Sequence, residues 1–368
     1  MVFPPSRWRL PNKGDVSGGG TPLLAVYYEE FQQPLKVGRL ADPEPAPDGV
    51  VIAVRSSGLC RSDWHGWMGH DSDIRLPHVP GHEFAGVIVD VGPEVNNWRI
   101  GDRVTVPFAV GCGQCPPCRE GDLQICDNYF QPGFTAWGSF AELVAIPHAD
   151  LNLVRLPESI SFEAAASLGC RIVTSFRAIV DQGKLKAEQS LAVFGCGGVG
   201  LAAILIGKAM GARVIGVDVN PESLELARQL GASDVIMATD LDPVAAIHDL
   251  TGGGAHLSLD ALGNPVVCQQ AIASLKKRGR HVQVGLISDG SVSVPMDQVI
   301  ARELEIVGSH GMAAADYAPL LQMIIDGKLD PQRLVTRGAR LDDVPGLLPD
   351  MALNQHQGIT VVNISDDS

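Results

Sequence analysis

The chain has 368 residues, which is enough for two domains with cores of their own. It carries 42 acidic and 28 basic side chains, and the net charge of -14 argues against broad contact with nucleic-acid phosphates or an anionic membrane surface. The most apolar stretch, residues 191–207, is interrupted by glycines, so we expect no membrane-spanning helix.

The N-terminal residues 1–22 are rich in proline and contain a run of three glycines, but they have no apolar core of the kind found in signal peptides. We interpret them as a flexible extension and expect a cytoplasmic protein. The chain has eight cysteines, and in a reducing compartment clustered cysteines favour metal ligation over disulfides.

Residues 23–170 have the pattern of a β-rich domain. Short β-branched segments at residues 50–54, 86–91 and 103–106 are separated by Gly, Pro and Asp turns, and helical periodicity is confined to a short stretch after Cys60. From about residue 161, strands and helices alternate. We predict strands at 191–194, 213–217, 235–237, 257–260 and 281–284, and helices at 174–180, 199–210, 221–230, 243–250 and 266–275.

This alternation predicts a doubly wound parallel sheet, which we assign to residues 171–309. The remaining residues, 310–368, contain a predicted helix at 317–326 and a predicted strand at 359–362. We expect them to complete the first domain.

A glycine-rich turn follows one of the predicted strands and opens a predicted helix: Gly195-Cys196-Gly197-Gly198-Val199-Gly200. Such glycines permit a tight turn and let the backbone approach a pyrophosphate at a helix N-terminus. Asp218 ends the next strand, where it would accept hydrogen bonds from the adenosine ribose and repel a 2′-phosphate, which favours NAD over NADP. We place Gly285 and Leu286 in the same crevice. The alternative is a turn that only packs the helix on the strand.

Four cysteines, Cys112, Cys115, Cys118 and Cys126, lie in one Gly/Pro-rich loop. Their spacing is typical of a closed, tetrahedral zinc site that stabilises a loop with little core of its own. An iron–sulfur cluster or two disulfides are the alternatives.

A second set of donors suggests a catalytic metal. Cys60, His82 and Cys170 could supply three ligands and leave one position open, as a catalytic zinc requires. Ser62 and His65 follow Cys60 closely and can carry a proton, and Asp63 is a candidate to fix the tautomer of His82. The alternative is that His82 and Glu83 form a polar pair in an ordinary turn and that Cys60 is a small buried hydrophobe.

These motifs together resemble the zinc-dependent medium-chain alcohol dehydrogenase family, in the medium-chain dehydrogenase/reductase superfamily. The resemblance runs in the family's order from about Leu23 to the C-terminus. The matching segments are Gly58 to His65, Gly81 to Gly86, Gly101 to Val104, the four-cysteine loop, Leu168 to Cys170, the Gly195 to Gly200 turn and Gly216 to Asp218.

The resemblance implies a GroES-like β-rich catalytic domain and a Rossmann-type domain. It implies that Cys60, His82 and Cys170 hold a catalytic zinc with Glu83 nearby. Ser62 would hydrogen-bond the substrate oxygen, His65 would pass the proton to solvent by way of the cofactor ribose, and Arg61 would meet the pyrophosphate. We therefore expect two zinc ions per chain, one catalytic and one structural, together with NAD and a homodimer or homotetramer.

The expected reaction is reversible, NAD-linked oxidation of primary or secondary alcohols to aldehydes or ketones. If two or more of Trp64, Trp67, Phe108 and Trp137 face the cleft, the substrate is hydrophobic. The alternatives are a polyol, threonine or formaldehyde-type zinc dehydrogenase, or a non-catalytic zinc- and nucleotide-binding protein. A zinc hydrolase would leave the glycine turn unexplained. One departure from the family is that residues 355–359 offer no Lys or Arg for the pyrophosphate.

Overall fold

The computed structural model describes residues 22–287, 290–351 and 356–365. The chain divides into two compact units: the first comprises Met1–Cys170, Ala313–Ala318 and Arg337–Ser368, and the second comprises Arg171–Met312 and Pro319–Thr336. The predicted extension over residues 1–22 lies outside the described residues except for Pro22. None of the described helices combines the length and the apolar character needed to cross a bilayer.

Residues 22–170 form mainly antiparallel strands, because β-branched residues alternate between a core and an outer face. Val50, Ile52 and Val54 point into a core shared with Phe84 and Ile88 of the neighbouring strand. The strands are β1 (Leu23–Tyr27), β2 (Lys36–Leu40), β3 (Val50–Leu59), β4 (Glu83–Val91), β5 (Arg103–Thr105), β6 (Leu143–Ile146) and β7 (Val154–Arg155). The helices are short: α1 (Arg61–Trp67), α2 (Pro116–Arg119), α3 (Ala149–Asn152) and α4 (Phe162–Ala166), with a 3-10 turn at Leu123–Ile125. The predicted β-rich character is confirmed.

Residues 171–312 alternate between helices and strands, as the sequence predicts. The elements are α5 (Arg171–Phe176), a π-helical turn at Arg177–Gln182, β8 (Ser190–Phe194), α6 (Gly198–Ala209), β9 (Arg213–Asp218), α7 (Pro221–Leu230), β10 (Asp234–Met237), α8 (Pro243–Thr251), β11 (Ala255–Asp260), α9 (Pro265–Ala273), β12 (Leu275–Gln283), α10 (Met296–Arg302) and β13 (Glu305–Gly308). The strand order is β10-β9-β8-β11-β12-β13, and the neighbouring strands are parallel. This is the doubly wound order, in which the crevice lies beside β8.

Three helices of this unit begin in the same way. Asn220, Asp242 and Asn264 each accept hydrogen bonds from backbone N–H groups of the first turn, and a proline follows each of them. The cap satisfies donors that have no partner inside the helix, and proline is suited to the first helical position. These local signals explain why the predicted starts of α7 and α8 agree with the structure.

The C-terminal part of the chain contributes to both units. Its elements are a 3-10 turn at Ala314–Asp316, α11 (Tyr317–Ile325), a 3-10 turn at Pro331–Leu334, β14 (Val335–Arg340), a 3-10 turn at Leu341–Asp343, α12 (Val344–Asp350) and β15 (Ile359–Asn363). β15 pairs antiparallel with β3, so the predicted return of the last strand to the first domain is confirmed. The larger sheet of the first unit has the order β14-β15-β3-β4-β5-β7, with β6 also paired to β3.

The segment Pro319–Thr336 belongs to the second unit, although we had assigned residues 310–368 to the first. The physical reason is local packing. The turn Pro331–Leu334 contacts α6, and the Arg333 guanidinium donates a hydrogen bond to the Gln229 carbonyl at the end of α7.

Candidate metal centres and cofactor site

Asp63 connects the two segments that carry Cys60 and His82. Cys60 precedes α1, and its amide donates to one Asp63 carboxylate oxygen at 3.0 Å, as part of a capping box. The other oxygen accepts hydrogen bonds from His82 Nδ1 at 2.8 Å and from the Gly81 amide at 3.1 Å. Asp63 is buried. It therefore fixes the backbone at Cys60 and the ring of His82 at the same time.

The turn that delivers His82 requires a glycine. Gly81 has a φ of +104°, and a Cβ added there would lie 2.7 Å from the Phe140 amide nitrogen. The Gly81 carbonyl also accepts a hydrogen bond from the Ser139 amide at 2.9 Å. Because no side chain fits and the backbone is left-handed, this position explains the Gly-His-Glu pattern seen in the sequence.

The side chains of Cys60, His82, Glu83 and Cys170 converge in the first unit. Their ligand atoms lie within 4.8 Å of one another, and all but Cys170 are buried. His82 Nε2 is buried and has no hydrogen-bond partner. An unpaired buried ring nitrogen is costly, and a metal ion would satisfy it. Thiolates and an imidazole with an adjacent carboxylate suit zinc.

The protonation of His82 is governed by two opposed effects. Burial lowers its pKa, whereas the Asp63 carboxylate and Cys60 raise it, and the net direction is upward. Without a metal the ring therefore tends to hold a proton, and a bound metal has to displace it. Metal retention is accordingly expected to weaken in acid.

The candidate proton carriers lie on α1 and just after it. Ser62 Oγ is 3.8 Å from Cys60 Sγ. His65 Nδ1 is 2.9 Å from His70 Nδ1, a contact that we had not predicted because His70 follows the helix in an irregular segment. Partial burial, followed by the charges of Arg61 and His70, lowers the pKa of His65. The ring is thus neutral near pH 7, the form that can accept a proton.

Arg61 contacts residues of its own unit. Its guanidinium donates to the Met351 carbonyl and lies over the Trp64 ring, 4.2 Å from the ring centroid. Its expected contact with the cofactor pyrophosphate stays a prediction.

The four predicted loop cysteines form a second cluster. The sulfur atoms of Cys112, Cys115, Cys118 and Cys126 lie within 4.8 Å of one another, and all four residues are buried. Backbone N–H groups point at the sulfurs: the Cys112 and Asn128 amides each lie 3.3 Å from Cys126 Sγ, and the Gln114 amide lies 3.5 Å from Cys112 Sγ. Such donors stabilise thiolates, as expected for a tetrahedral zinc site.

The thiols of this cluster compete for protons. Burial raises the pKa of Cys112, but hydrogen bonds from the Gln114 and Cys115 amides and from the Cys126 and Cys115 thiols outweigh it and lower the value to about 6. Burial and the neighbouring Cys115 thiol raise the pKa of Cys118 to about 12. Four thiolates cannot share this volume unless a cation offsets their repulsion, and a divalent metal supplies that charge.

The glycine turn of the second unit has the geometry of a dinucleotide-binding motif. Gly195 has a φ of +89°, and a Cβ on Gly200 would lie 1.8 Å from the Gly195 carbonyl oxygen, so helix and strand approach closely. A Cβ on Gly197 would meet no heavy atom within 4 Å, which leaves space for a ligand beside the backbone. Val199 lies in the first turn of α6, with the positive end of the helix facing this space.

Asp218 lies at the end of β9, as predicted, and its carboxylate is held against the glycine turn. One oxygen accepts a hydrogen bond from the Cys196 amide at 2.6 Å. The other accepts from the Val219 and Asn220 amides at 2.7 and 2.8 Å. The oxygen bonded to the Cys196 amide keeps a lone pair for a further donor, such as a ribose hydroxyl.

Gly285 and Leu286 follow β12, at the same carboxyl edge of the parallel sheet as the glycine turn. A Cβ on Gly285 would lie 2.1 Å from the Gly263 amide nitrogen, so the two loops after β11 and β12 are in contact. Leu286 is 87% exposed.

The four aromatic residues differ in their surroundings. Trp64 and Trp67 pack against the core cluster that contains Tyr28, and Phe108 is buried. Trp137 lines a cavity of about 860 Å³, and its indole N–H donates to the Pro77 carbonyl. No member of the Cys60 cluster lines this cavity, so we do not assign the substrate to it. The sequence does not single out Phe134, whose ring centroid lies 5.3 Å from that of His82.

Comparison with known proteins gives matches over both units. Residues 46–158 match the alcohol dehydrogenase GroES-like domain, and residues 198–326 match the zinc-binding dehydrogenase domain. The chain is 31% identical over 345 residues to an alcohol dehydrogenase of Geobacillus stearothermophilus, covering 93% of this chain and 100% of that protein. It is 35% identical over 333 residues to an NAD-dependent alcohol dehydrogenase of Sulfurisphaera tokodaii, covering 87% and 94%.

A solved structure agrees with these matches. The alcohol dehydrogenase TADH from Thermus sp. ATN1 superposes with a TM-score of 0.86 at 28% identity, covering 93% of this chain and 100% of that chain. The predicted combination of a GroES-like and a Rossmann-type domain is thereby confirmed. The chain belongs to the zinc-dependent medium-chain alcohol dehydrogenase family.

Proposed function

We propose that the protein is an NAD- and zinc-dependent alcohol dehydrogenase that interconverts primary or secondary alcohols with aldehydes or ketones. The main support is the cluster of Cys60, His82 and Cys170, in which a buried imidazole nitrogen lacks a partner. A protein that only binds zinc and a nucleotide would not need this cluster in addition to the four-cysteine loop.

Cys60, His82 and Cys170 hold the catalytic zinc in this proposal, and Glu83 lies beside them. When bound, zinc supplies a Lewis acid for the substrate oxygen, and NAD accepts the hydride. The two thiolates reduce the net charge of the metal site. The substrate oxygen would therefore bind the ion weakly enough to be replaced by another substrate molecule or by water. Asp63 keeps the proton of His82 on Nδ1 and so keeps Nε2 free for the metal.

Ser62 and His65 carry the substrate proton. Ser62 hydrogen-bonds the hydroxyl of the alcohol and accepts its proton while giving up its own hydroxyl proton, and His65 passes that proton on towards solvent. The lowered pKa of His65 supports this role, because a neutral ring accepts a proton more readily at neutral pH. His70 is the next group along the hydrogen bond from His65.

The second unit binds NAD. Gly195, Gly197, Gly198, Val199 and Gly200 receive the pyrophosphate, and the carboxylate of Asp218 receives the adenosine ribose. The negative charge of Asp218 supports NAD over NADP, because a 2′-phosphate would be repelled. Gly285 and Leu286 line the same edge of the sheet.

The substrate is proposed to be a hydrophobic alcohol. The ring of Phe134, whose centroid lies 5.3 Å from that of His82, supports an apolar surrounding, whereas a polyol would require several paired polar groups. A polyol, threonine or formaldehyde-type dehydrogenase shares the same metal and cofactor residues and is the second candidate.

We also propose a homo-oligomer that works in a reducing compartment such as the cytoplasm. The edge strand β13 leaves one side without a partner strand in its described sheet, and Ile300 and Ile306, just before and within this strand, expose apolar side chains. No disulfide joins any of the eight cysteines, all of which lie in the described residues, and seven of them are buried.

The test combines metal analysis with a substrate panel. We expect about two zinc ions per chain, and NADH formation from NAD with primary, secondary or aromatic alcohols in preference to sorbitol or threonine. Cys60→Ser is expected to abolish turnover while NADH still binds. Cys268→Ser, outside both cysteine clusters, is the matched control. About one zinc per chain and no turnover with any alcohol would instead support a non-catalytic zinc- and nucleotide-binding protein.

A further inference from the structure

We propose that Arg171 is a cofactor-binding residue that contacts the pyrophosphate of NAD from within the second unit. The proposal rests on the proposed function, because it requires NAD to bind at the glycine turn. The main observation is the close approach of the Arg171 side chain to Gly198 in the glycine turn. The Arg171 side chain crosses Gly198, with Cδ 2.4 Å and Nη1 3.4 Å from the place where a Cβ on Gly198 would lie.

The placement of Arg171 follows from the packing of two helices. Arg171 is the first residue of α5, and α5 packs along α6. Ser175 Oγ lies 2.8 Å from the Arg171 carbonyl and 2.7 Å from the Val199 carbonyl, which joins the start of α5 to the first turn of α6. Arg171 is only 5% exposed, so its side chain is held over the turn by packing.

This arrangement puts a guanidinium beside the positive end of a helix. The N-terminal turn of a helix carries about half a positive charge. An anion bound at the turn is attracted by both groups. The planar fork of arginine suits phosphate oxygens, and the N–H groups at the helix start supply further donors.

The absence of a side chain at Gly198 makes room for Arg171. A side chain at this position would occupy the volume of the Arg171 methylene groups, so the glycine admits the arginine as well as the turn. The segment at residues 355–359 offers no Lys or Arg. The geometry therefore assigns to α5 a cation for the phosphates that belongs to the same compact unit as the turn itself.

The experiment measures binding of NADH, ADP-ribose and adenosine to the full-length protein by titration calorimetry. Arg171→Gln is expected to weaken NADH and ADP-ribose binding by about ten-fold or more, since a charge-assisted hydrogen bond is lost. Adenosine, which has no phosphate, is expected to bind as it does to the wild type. Arg228→Gln, an exposed position on α7, is the charge-matched control and is expected to leave all three affinities unchanged.

The outcomes separate this proposal from the proposed function. If wild-type protein binds neither NADH nor ADP-ribose, the proposed function fails. If wild type binds both and Arg171→Gln binds them equally well, only the role of Arg171 is overturned. An equal loss for adenosine would also overturn it, because the loss would then be structural. Should Arg171→Gln not fold, Arg171→Lys decides. It keeps the charge but loses the fork, so an NADH affinity at least about three-fold weaker is expected, and an unchanged affinity contradicts the proposal.

Discussion

Asp63 shows how much of a metal site can depend on a residue that does not ligate the metal. Its two carboxylate oxygens are shared among the Cys60 amide, the Gly81 amide and His82 Nδ1. The carboxylate accepts from all three, so the imidazole must carry its proton on Nδ1. Nε2 is consequently the ring nitrogen that a metal ion can bind once it displaces the proton there.

Replacing Asp63 with Asn should therefore weaken the catalytic zinc selectively. The amide group can present a donor to His82, which favours the tautomer with the proton on Nε2 and blocks metal binding. We expect zinc affinity at this site to fall ~10–100-fold. Elemental analysis after dialysis against a mild chelator should show about one zinc per chain for Asp63→Asn and about two for the exposed control Asp73→Asn.

NADH binding distinguishes a local effect from misfolding in this variant. The glycine turn lies in the other compact unit, so Asp63→Asn should bind NADH as the wild type does. A variant that kept both zinc ions through dialysis would show that Asp63 does not control the metal ligand.

Sequence reasoning identified the residues whose role is encoded by local spacing. The four loop cysteines are predicted from their spacing, and Cys60 and Asp63 from the chemistry they offer beside His82. Phe134, His70 and Arg171 were not predicted. Their contacts with His82, His65 and Gly198 depend on how distant segments pack, and neither their type nor their spacing signals it.

At the scale of a single element, the glycine turn between β8 and α6 contains glycines with different physical tasks. Gly200 is needed because the helix lies against the strand, and its Cβ would be 1.8 Å from the Gly195 carbonyl oxygen. Gly197 has ordinary extended backbone and open space around it. Gly200 is required by the fold itself, whereas the open space beside Gly197 is where we propose that the pyrophosphate binds.

The same substitution at these two positions should give opposite results. Gly200→Ala should destabilise the apo protein by ~1–3 kcal/mol, because the helix must move away from the strand. Gly197→Ala should change apo stability by less than ~0.5 kcal/mol, since the methyl group meets nothing. It should nonetheless weaken NADH binding, because the methyl group occupies the space the pyrophosphate needs. Thermal unfolding and NADH titration of both variants test this.

Either of two results would contradict this interpretation of the turn. One is a Gly197→Ala protein that binds NADH as tightly as the wild type. The other is a Gly200→Ala protein with unchanged thermal stability.

The elements that the sequence did not predict share a physical cause. β13 and β14 are mostly exposed, and α10 has no buried residue, so none of them shows the apolar pattern on which sequence prediction depends. β12 begins at Leu275, six residues before the predicted start, although its first half contains Lys276, Lys277 and Arg278. Leu275 and Arg280–Gln283 pair with β11, and the register shifts across the basic stretch between them, which is why this stretch shows no strand pattern.

At the scale of the whole molecule, metal binding and cofactor binding are assigned to different compact units. The ligands of both candidate zinc sites lie in the first unit. The glycine turn, Asp218 and Arg171 lie in the second. Metal binding and cofactor binding should therefore be separable by experiment.

Stepwise removal of zinc tests this division. A mild chelator should first remove the ion at Cys60, His82 and Cys170, because a catalytic site has an open coordination position, whereas the four-cysteine site is closed. Turnover should disappear with this first zinc. NADH affinity should be unchanged, since the residues that bind NADH do not depend on the metal. Acidification should have the same effect, as protons compete for His82 and the thiols.

Loss of the second zinc should have a different consequence. The loop around Cys112 has a core made largely of its own sulfur atoms, with Leu123 packed against them. Removing the ion leaves these thiols without the charge that holds them together, so thermal stability should fall. Zinc stoichiometry, NADH fluorescence and the unfolding temperature, followed in one titration, give the order of events. If NADH affinity fell in step with the first zinc, cofactor binding would depend on the metal centre and the two functions would not be separable.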